Sequence, residues 1–293
     1  MASSENPKLA FLGLGVMGAP MAGHLAKGGA DVKVYNRTGS KADAWVKDHG
    51  GESAATPREA AEGADVVLAC VGNDNDLFSL CTGPDGAFAG MKEGSLFVDH
   101  TTVSARVTRD LAARAKEAGI GYVDAPVSGG QAGAENGQLS VMCGGTPEDY
   151  ARAESVAAPY SKICRRLGDV GAGQLAKMSN QIAIAGLVQG LSEAIAFAER
   201  AGLDGEALVE VISQGAAGSW QMVNRHKTML ADEFDHGFAV DWMRKDLAIC
   251  LDAARELDAS LPVTALVDQF YSDVQAMDGG RWDTSSLVKR LRR

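Results

Sequence analysis

An apolar run, Leu9-Ala10-Phe11-Leu12, leads straight into Gly13-Leu14-Gly15-Val16-Met17-Gly18, and a helical pattern starts at Ala19-Pro20-Met21-Ala22. No other stretch limits the fold as tightly, because the order strand, glycine turn, helix gives each glycine its own task. Gly13 permits the turn, Gly15 lets an anionic group approach the backbone, and Gly18 lets the helix pack against the strand. The helix start offers unpartnered N–H groups and the positive end of the helix dipole, which suits a pyrophosphate. Pro20 fits the first helical turn, where its missing N–H costs nothing. In a chain with 35 glycines the bare spacing can arise by chance; the flanking strand and helix make it a dinucleotide site, with Leu14, Val16 and Met17 in the loop.

The pattern then repeats. Asp31–Tyr35 alternates as a strand, Ser40–His49 reads as a helix, and Asp65–Val71 is nearly all apolar, as expected of a strand buried on both faces of a parallel sheet. Leu96–Asp99, Gly121–Asp124, Leu139–Cys143 and Lys162–Leu167 follow as strands, with helical segments at Val103–Ala118 and Pro147–Ala157. Strands alternating with helices predict a doubly wound α/β domain of Rossmann type over residues 1–168. Beyond Gly171 strand-like alternation stops. The remainder, 169–293, reads as an all-α domain, entered through a long proline-free interdomain helix at about 172–200. Gly186, Gly190 and Ala194 fall four apart on that helix, a face expected to let another element pack close. Asp204–Gln214, Val240–Glu256 and Val263–Met277 read as further helices.

A length of 293 residues suits two domains. The polar start Met1–Pro7 lacks the apolar core of a secretory signal, and no apolar run approaches the roughly 18–20 residues of a membrane span. The expectation is a cytoplasmic protein with no membrane partner. A net charge of −10 argues against general nucleic-acid binding. The five cysteines are odd in number and contain no C-x-x-C pair, and the five histidines show no metal-binding spacing, so neither a disulfide framework nor a metal site is expected.

Three further segments carry chemistry. At the end of the second strand, where an acidic residue would bond the ribose of NAD(H), the chain has Asn36-Arg37-Thr38. A carboxylate there would repel a 2′-phosphate, whereas Arg37 can grip one; this favours NADP(H), with NAD(H) possible, although a solvated loop arginine is the plainer reading. Next, Asp124-Ala125-Pro126-Val127-Ser128-Gly129-Gly130 ends a strand. Its Ser128 hydroxyl and the open backbone of Gly129 and Gly130 could cradle a small carboxylate, or form an ordinary turn. Last, Gly171 and Gly173 open the long helix, with Lys177 about one turn inside and Asn180 and Gln181 on the same face. A lysine desolvated there could serve as acid/base; a solvent-facing lysine is the bland alternative. Lys245, in Lys245-Asp246-Leu247, is taken alone a surface charge.

Together these segments resemble the β-hydroxyacid dehydrogenase family, of the 3-hydroxyisobutyrate dehydrogenase type, over essentially the whole chain. The resemblance implies that Lys177 is the acid/base and that Ser128, Gly129 and Gly130 hold the substrate carboxylate. It implies that Asn180 orients the reacting oxygen, that Thr102 lies by the nicotinamide, and that Lys245 closes over cofactor and substrate. The cofactor set is completed by Val71, and Gln181 and Trp220 join the substrate set. Many members carry two asparagines after the lysine; here the pair is Asn180-Gln181, which leaves open which amide meets the substrate. Trp220 could equally be a core residue, and Arg225 and His226 either meet an extra anionic group or face water. The implied activity is NADP(H)-dependent interconversion of a short β-hydroxy acid and its semialdehyde by a homodimer or homotetramer. Rivals are an imine reductase-like enzyme, in which the lysine is usually replaced, a phosphorylated-sugar dehydrogenase, which typically has a longer helical domain, and a non-catalytic NADP-binding module.

Overall fold

The computed structural model describes residues 7–292; all but Pro7 of the polar start Met1–Pro7, on which the reading against a secretory signal rests, lies outside them. The chain divides into two compact units, one ending at Lys177 and the other starting at Met178. The first runs β1 (Lys8–Leu12), α1 (Gly18–Lys27), β2 (Asp31–Tyr35), α2 (Gly39–His49), β3 (Glu52–Ser53), α3 (Pro57–Ala61) and β4 (Val66–Ala69). It continues with α4 (Asp74–Cys81), α5 (Ala87–Gly90), β5 (Leu96–Asp99), α6 (Ala105–Glu117), β6 (Gly121–Asp124) and β7 (Val127–Ser128). It closes with α7 (Gly130–Glu135), β8 (Leu139–Gly144), α8 (Pro147–Ala157) and β9 (Ser161–Gly168).

These strands form one sheet in the order β3-β2-β1-β4-β5-β6-β8-β7, with β9 paired to β8. β1 to β6 are parallel; β8 runs antiparallel to β6 and β7. The near-continuous apolar strands are explained by cores on both faces. Along β1, Leu9 and Phe11 point into one core with Met21 and Trp45, while Ala10 and Leu12 point into the other with Leu77, Phe97 and Leu111. The short α3 and α4 have no counterpart in the sequence reading, since neither is long enough to show apolar periodicity. Their caps define them instead: Thr56 Oγ1 accepts from Glu59 N at 3.1 Å, and Asn73 Oδ1 accepts from Asp76 N at 2.9 Å.

Helix α9 (Ala172–Arg200) opens in the first unit and continues into the second, which adds α10 (Gly205–Ile212), α11 (Trp220–Ala231), α12 (Val240–Glu256) and α13 (Pro262–Gln275). A 3₁₀ segment, Thr284–Arg292, ends the described chain. Here Ala185, Val188, Met243, Leu247, Val267 and Tyr271 form one core, and Leu191, Ile195, Val209, Met222 and Met229 another. The expected division after residue 168 precedes α9; the compact units divide inside it, because its first turns are bonded to the sheet unit.

Helix α9 is long enough, and over 18 residues apolar enough at a mean hydropathy of 1.4, to cross a membrane by length and composition, but half of that stretch is buried inside the protein, which suits a core helix. One expectation about α9 is corrected: the small-residue face is not a close-packing seam within the chain. A Cβ on Gly190 would meet nothing within 4 Å, and one on Gly186 would make only ordinary contact with Val263. The packed face lies one step round the helix, at Ala185, Val188, Ser192 and Ile195.

What docks α9 is a buried charge. Asp124, at the end of β6, is fully buried, and its carboxylate accepts from Gly171 N at 2.8 Å and Gln174 N at 2.9 Å. It thereby satisfies backbone donors at the start of α9 that would otherwise lack partners. The fit leaves no room for side chains: a Cβ on Gly173 would stand 2.4 Å from Met142 O and 2.5 Å from Asp124 O. The neighbouring strand places Asp99 in register with Asp124. Asp99 accepts from Thr101 N at 2.9 Å and from the Tyr122 hydroxyl at 3.4 Å. Burial, above all, pushes the Asp99 carboxyl up to about 7 and that of Asp124 up to about 6, from an ordinary value of 3.8. The folded chain therefore binds these protons more tightly than the unfolded chain does. The resulting stabilisation is complete below about pH 4 and is lost as pH rises through about 6 for Asp124 and about 7 for Asp99. Each group contributes a slope of up to about 1.4 kcal/mol per pH unit in that window. Asp99→Asn is expected to flatten the fall in unfolding free energy between pH 4 and pH 7, read by denaturant melts; an unchanged slope contradicts this account.

Candidate active site

The glycine loop past β1, Asn36-Arg37-Thr38 past β2 and the serine-glycine segment past β6 all lie at the carboxyl ends of the parallel strands, the usual ligand face of such sheets. The glycine loop comes first. Gly13 has φ +99°, and a Cβ on it would stand 2.3 Å from Cys70 O; one on Gly18 would stand 1.9 Å from Gly13 O. Both are required by the fold itself. Gly15 differs, because a Cβ there would meet no atom within 4 Å. The protein leaves that space open beside the start of α1, which is where a pyrophosphate would need to approach the backbone. Val16 beside it is exposed, Leu14 is buried, and Met17 packs partly against the core. The loop is tied to the end of β2 by Leu14 N, which donates to Asn36 Oδ1 at 2.9 Å, while Asn36 Nδ2 donates to Thr38 O at 3.0 Å. The residues present fit a bound dinucleotide.

Arg37 stands beside this loop with its side chain 84% exposed, and it is not a lone solvated charge: its Nη1 meets Asp76 Oδ1 at 3.0 Å. Val71, past the end of β4, donates its N–H to Thr101 Oγ1 at 3.1 Å. Thr102 follows in a turn fixed from several sides. His100 is fully buried; its Nδ1–H donates to Ala125 O at 2.7 Å, so its Nε2 accepts from the Tyr160 hydroxyl at 2.9 Å. Burial holds this imidazole down to about 4, keeping it neutral.

The lysine is brought to the serine-glycine segment. Lys177 is buried, and its Nζ donates to Val127 O at 2.9 Å, next to Ser128. Val127 and Ser128 form the short strand β7, paired with Val141 and Ser140 of β8. Gly129 and Gly130 follow with φ of +134° and +61°, conformations that favour glycine. One turn before the lysine, Gln174 is buried; its Nε2 donates to Thr101 O at 2.8 Å and its Oε1 accepts from Val103 N at 3.2 Å. Gln174 thus grips both sides of Thr102. It was missed in the sequence, as were Asp99 and Asp124; the available signal was a polar residue three before the lysine on a helix start.

The remaining candidates belong to the second unit. Asn180 is half-buried, and its Nδ2 donates to Gln181 Oε1 at 2.8 Å. Gln181 is buried and committed at both ends, since its Nε2 donates to Asp246 Oδ2 at 2.6 Å. Lys245 Nζ pairs with Asp246 Oδ1 at 3.1 Å and lies 6.0 Å from the centre of the Trp242 ring. Trp220 is not a core residue; it is 56% exposed, and the Arg225 guanidinium stacks over it at 5.0 Å. Arg225 in turn pairs with the buried Asp283 at 3.3 Å, and His226 Nδ1 bonds Met222 O at 2.8 Å, so the idea that they wait for an extra anion is set aside. Among the cysteines, Cys143 and Cys164 come within 3.4 Å at sulfur, a proximity their scattered spacing did not reveal.

Comparison with known proteins places the chain in a family. Residues 8–168 match the NAD binding domain of 6-phosphogluconate dehydrogenase, and residues 171–291 match the NAD-binding region of NADP-dependent 3-hydroxyisobutyrate dehydrogenase. An uncharacterized oxidoreductase of Shewanella frigidimarina is 60% identical over 97% of this chain and 98% of its own length. A probable mitochondrial 3-hydroxyisobutyrate dehydrogenase-like protein of Arabidopsis thaliana is 39% identical over 99% of this chain and 86% of its own. The structure of Mycobacterium tuberculosis 3-hydroxyisobutyrate dehydrogenase with L-serine superimposes with a TM-score of 0.88 at 30% identity, over 99% of this chain and 100% of that one. With two family models spanning the described fold and relatives aligned nearly end to end, the chain belongs to the β-hydroxyacid dehydrogenase family and is an NAD(P)-dependent oxidoreductase acting on CH–OH groups.

Proposed function

We propose that the protein interconverts a short β-hydroxy acid and its semialdehyde, using NADP(H) in preference to NAD(H), with Lys177 as general acid/base. The observation that carries this reading is the Lys177 Nζ to Val127 O bond, which holds an ammonium group beside the Ser128-Gly129-Gly130 segment. Gly13, Leu14, Gly15, Val16, Met17 and Gly18 would hold the pyrophosphate end of the dinucleotide, and Asn36, Arg37 and Thr38 its adenosine ribose. Val71, Thr102 and Lys245 complete the cofactor set. When bound, the reduced nicotinamide supplies the hydride that goes to the carbonyl carbon. The rest of the work falls to the protein. The Ser128 hydroxyl and the backbone of Gly129 and Gly130 hold the substrate carboxylate, which fixes the distance from that group to the reacting carbon and selects three- or four-carbon substrates. Lys177 donates a proton to the carbonyl oxygen as negative charge develops there, and its positive charge stabilises that oxygen beforehand.

Asn180 is assigned to the reacting oxygen, because both ends of Gln181 are already engaged. Trp220, exposed and stacked with Arg225, borders the substrate set. The absence of an acid at the end of β2 and the presence of Arg37 support NADP(H). Exposed apolar side chains of the helical unit, among them Phe197, Val211 and Leu266, support a homodimer or homotetramer, and we place the enzyme in the cytoplasm.

Lys177→Ala is expected to lower kcat by about 10²–10⁴-fold while the dissociation constant of NADPH changes little; near-full turnover would remove Lys177 from the chemistry. Gly15→Ala should fold with an unchanged Tm, since its Cβ has room, yet bind dinucleotide at least about tenfold more weakly. Equal affinity in that variant would separate Gly15 from the pyrophosphate. A panel of glyoxylate, succinic, tartronate and methylmalonate semialdehydes, L-serine and cyclic imines identifies the substrate. Turnover of cyclic imines alone would favour the imine reductase reading, and nucleotide binding without any turnover would favour a binding module.

A further inference from the structure

Arg37 does not wait alone for a phosphate, and its partner is placed with more care than a surface carboxylate needs. The strand order sets β2 and β4 on either side of β1. Arg37 lies just past the end of β2, and Asp76 lies in the first turn of α4, which follows β4. The 3.0 Å pair between them therefore joins the two segments that flank the glycine loop at the end of β1. Its two halves are held unequally. The Arg37 side chain is 84% exposed, whereas that of Asp76 is 28% exposed. Asp76 Oδ2 accepts from Asn73 Nδ2 at 3.1 Å, its backbone N–H donates to Asn73 Oδ1 at 2.9 Å, and the start of α4 favours a negative charge. The carboxylate is pinned; the guanidinium reaches into solvent.

We propose that Asp76 is a specificity-determining residue for the dinucleotide, setting how strongly the 2′-phosphate of NADP(H) is favoured over the 2′-hydroxyl of NAD(H). This rests on the reading of Arg37 as the 2′-phosphate ligand. A fork from Arg37 to a phosphate forms only by leaving or sharing Asp76, and the pinned carboxylate then stays behind as a like charge beside a dianion. Both effects act against the phosphate and neither touches a ribose hydroxyl. Asp76 thereby narrows the preference and keeps NAD(H) usable. The pair is exposed, so the effect is moderate and falls with salt.

The test is calorimetric binding of adenosine 2′,5′-bisphosphate and of 5′-AMP to the full-length protein and to Asp76→Asn, which keeps an acceptor for Asn73 Nδ2 and so preserves the local structure. The variant is expected to bind the bisphosphate about 3–10-fold more tightly at low salt, with 5′-AMP unchanged within about twofold and the gain shrinking in 0.5 M salt. The kcat/KM ratio for NADPH over NADH should rise by the same factor. An unchanged or weakened bisphosphate affinity overturns the proposal, since a weakened one would mean that Asp76 helps present Arg37. Arg37→Ala separates the two levels: if it leaves bisphosphate affinity unchanged, the reading of Arg37 itself fails; if it weakens binding while Asp76→Asn does nothing, only the role of Asp76 fails.

Discussion

The Asp124 carboxylate, closed off from water at the end of β6, is the constraint on which the rest of the site depends. An ionised group in such a place is tolerated only if its oxygens find donors, and here they come from Gly171, just before α9, and Gln174, in its first turn. The same contact disposes of two backbone N–H groups at the helix start that would otherwise be buried without partners. Two needs are met by one interaction, and its directionality fixes the direction in which α9 leaves the sheet. Glycine at 173 follows from it, because the backbone approaches Met142 O and Asp124 too closely for a side chain. Lys177 lies one turn on, so its reach to Val127 O is set by this anchor and by Gln174.

Much of this was legible in the chain, and the parts that were not share a cause. The strands β1, β4 and β5 could be read because each is an apolar run with a clear end, the trace left by parallel strands buried on both faces, while β2 showed as an alternation of apolar and polar residues. Helices α3, α4 and α7 span five, eight and six residues, too short for a periodicity to emerge. The lysine, the serine-glycine segment and the glycine loop were legible as local spacings. Gln174 was not, since its role consists of bonds to Thr101 and Val103, more than 70 positions away in sequence, nor was Asp99, whose burial beside Asp124 is set by the pairing of β5 with β6. The same holds for the Arg37–Asp76 pair, which joins positions 39 apart, and for the contact between Cys143 and Cys164. Gly186 and Gly190 illustrate the opposite error: a spacing that promised close packing, where the chain makes only an ordinary contact from Val263 at Gly186 and leaves Gly190 open.

The glycine loop separates demands of folding from demands of binding. At Gly13 a methyl group would collide with Cys70 O, just past β4, and at Gly18 with Gly13 O of the turn itself, so the fold alone explains those residues. At Gly15 it would collide with nothing in the protein. A motif that looks uniform in sequence is therefore two different constraints, one of them visible only as vacant space beside a helix start.

A last consequence lies in the line of contacts from Asp246 through Gln181 to Asn180. An ionised carboxylate has no hydrogen to give, so the group beside it must be the NH₂ end of the glutamine, never the carbonyl. That choice turns the Gln181 oxygen toward Asn180, which must in turn present its own NH₂. The row of amides has a single permitted polarity, imposed from its anionic end. The carbonyl of Asn180 is left as the open terminus, together with its second N–H, so what this side chain can offer a neighbour is decided by a residue 66 positions away, at 246.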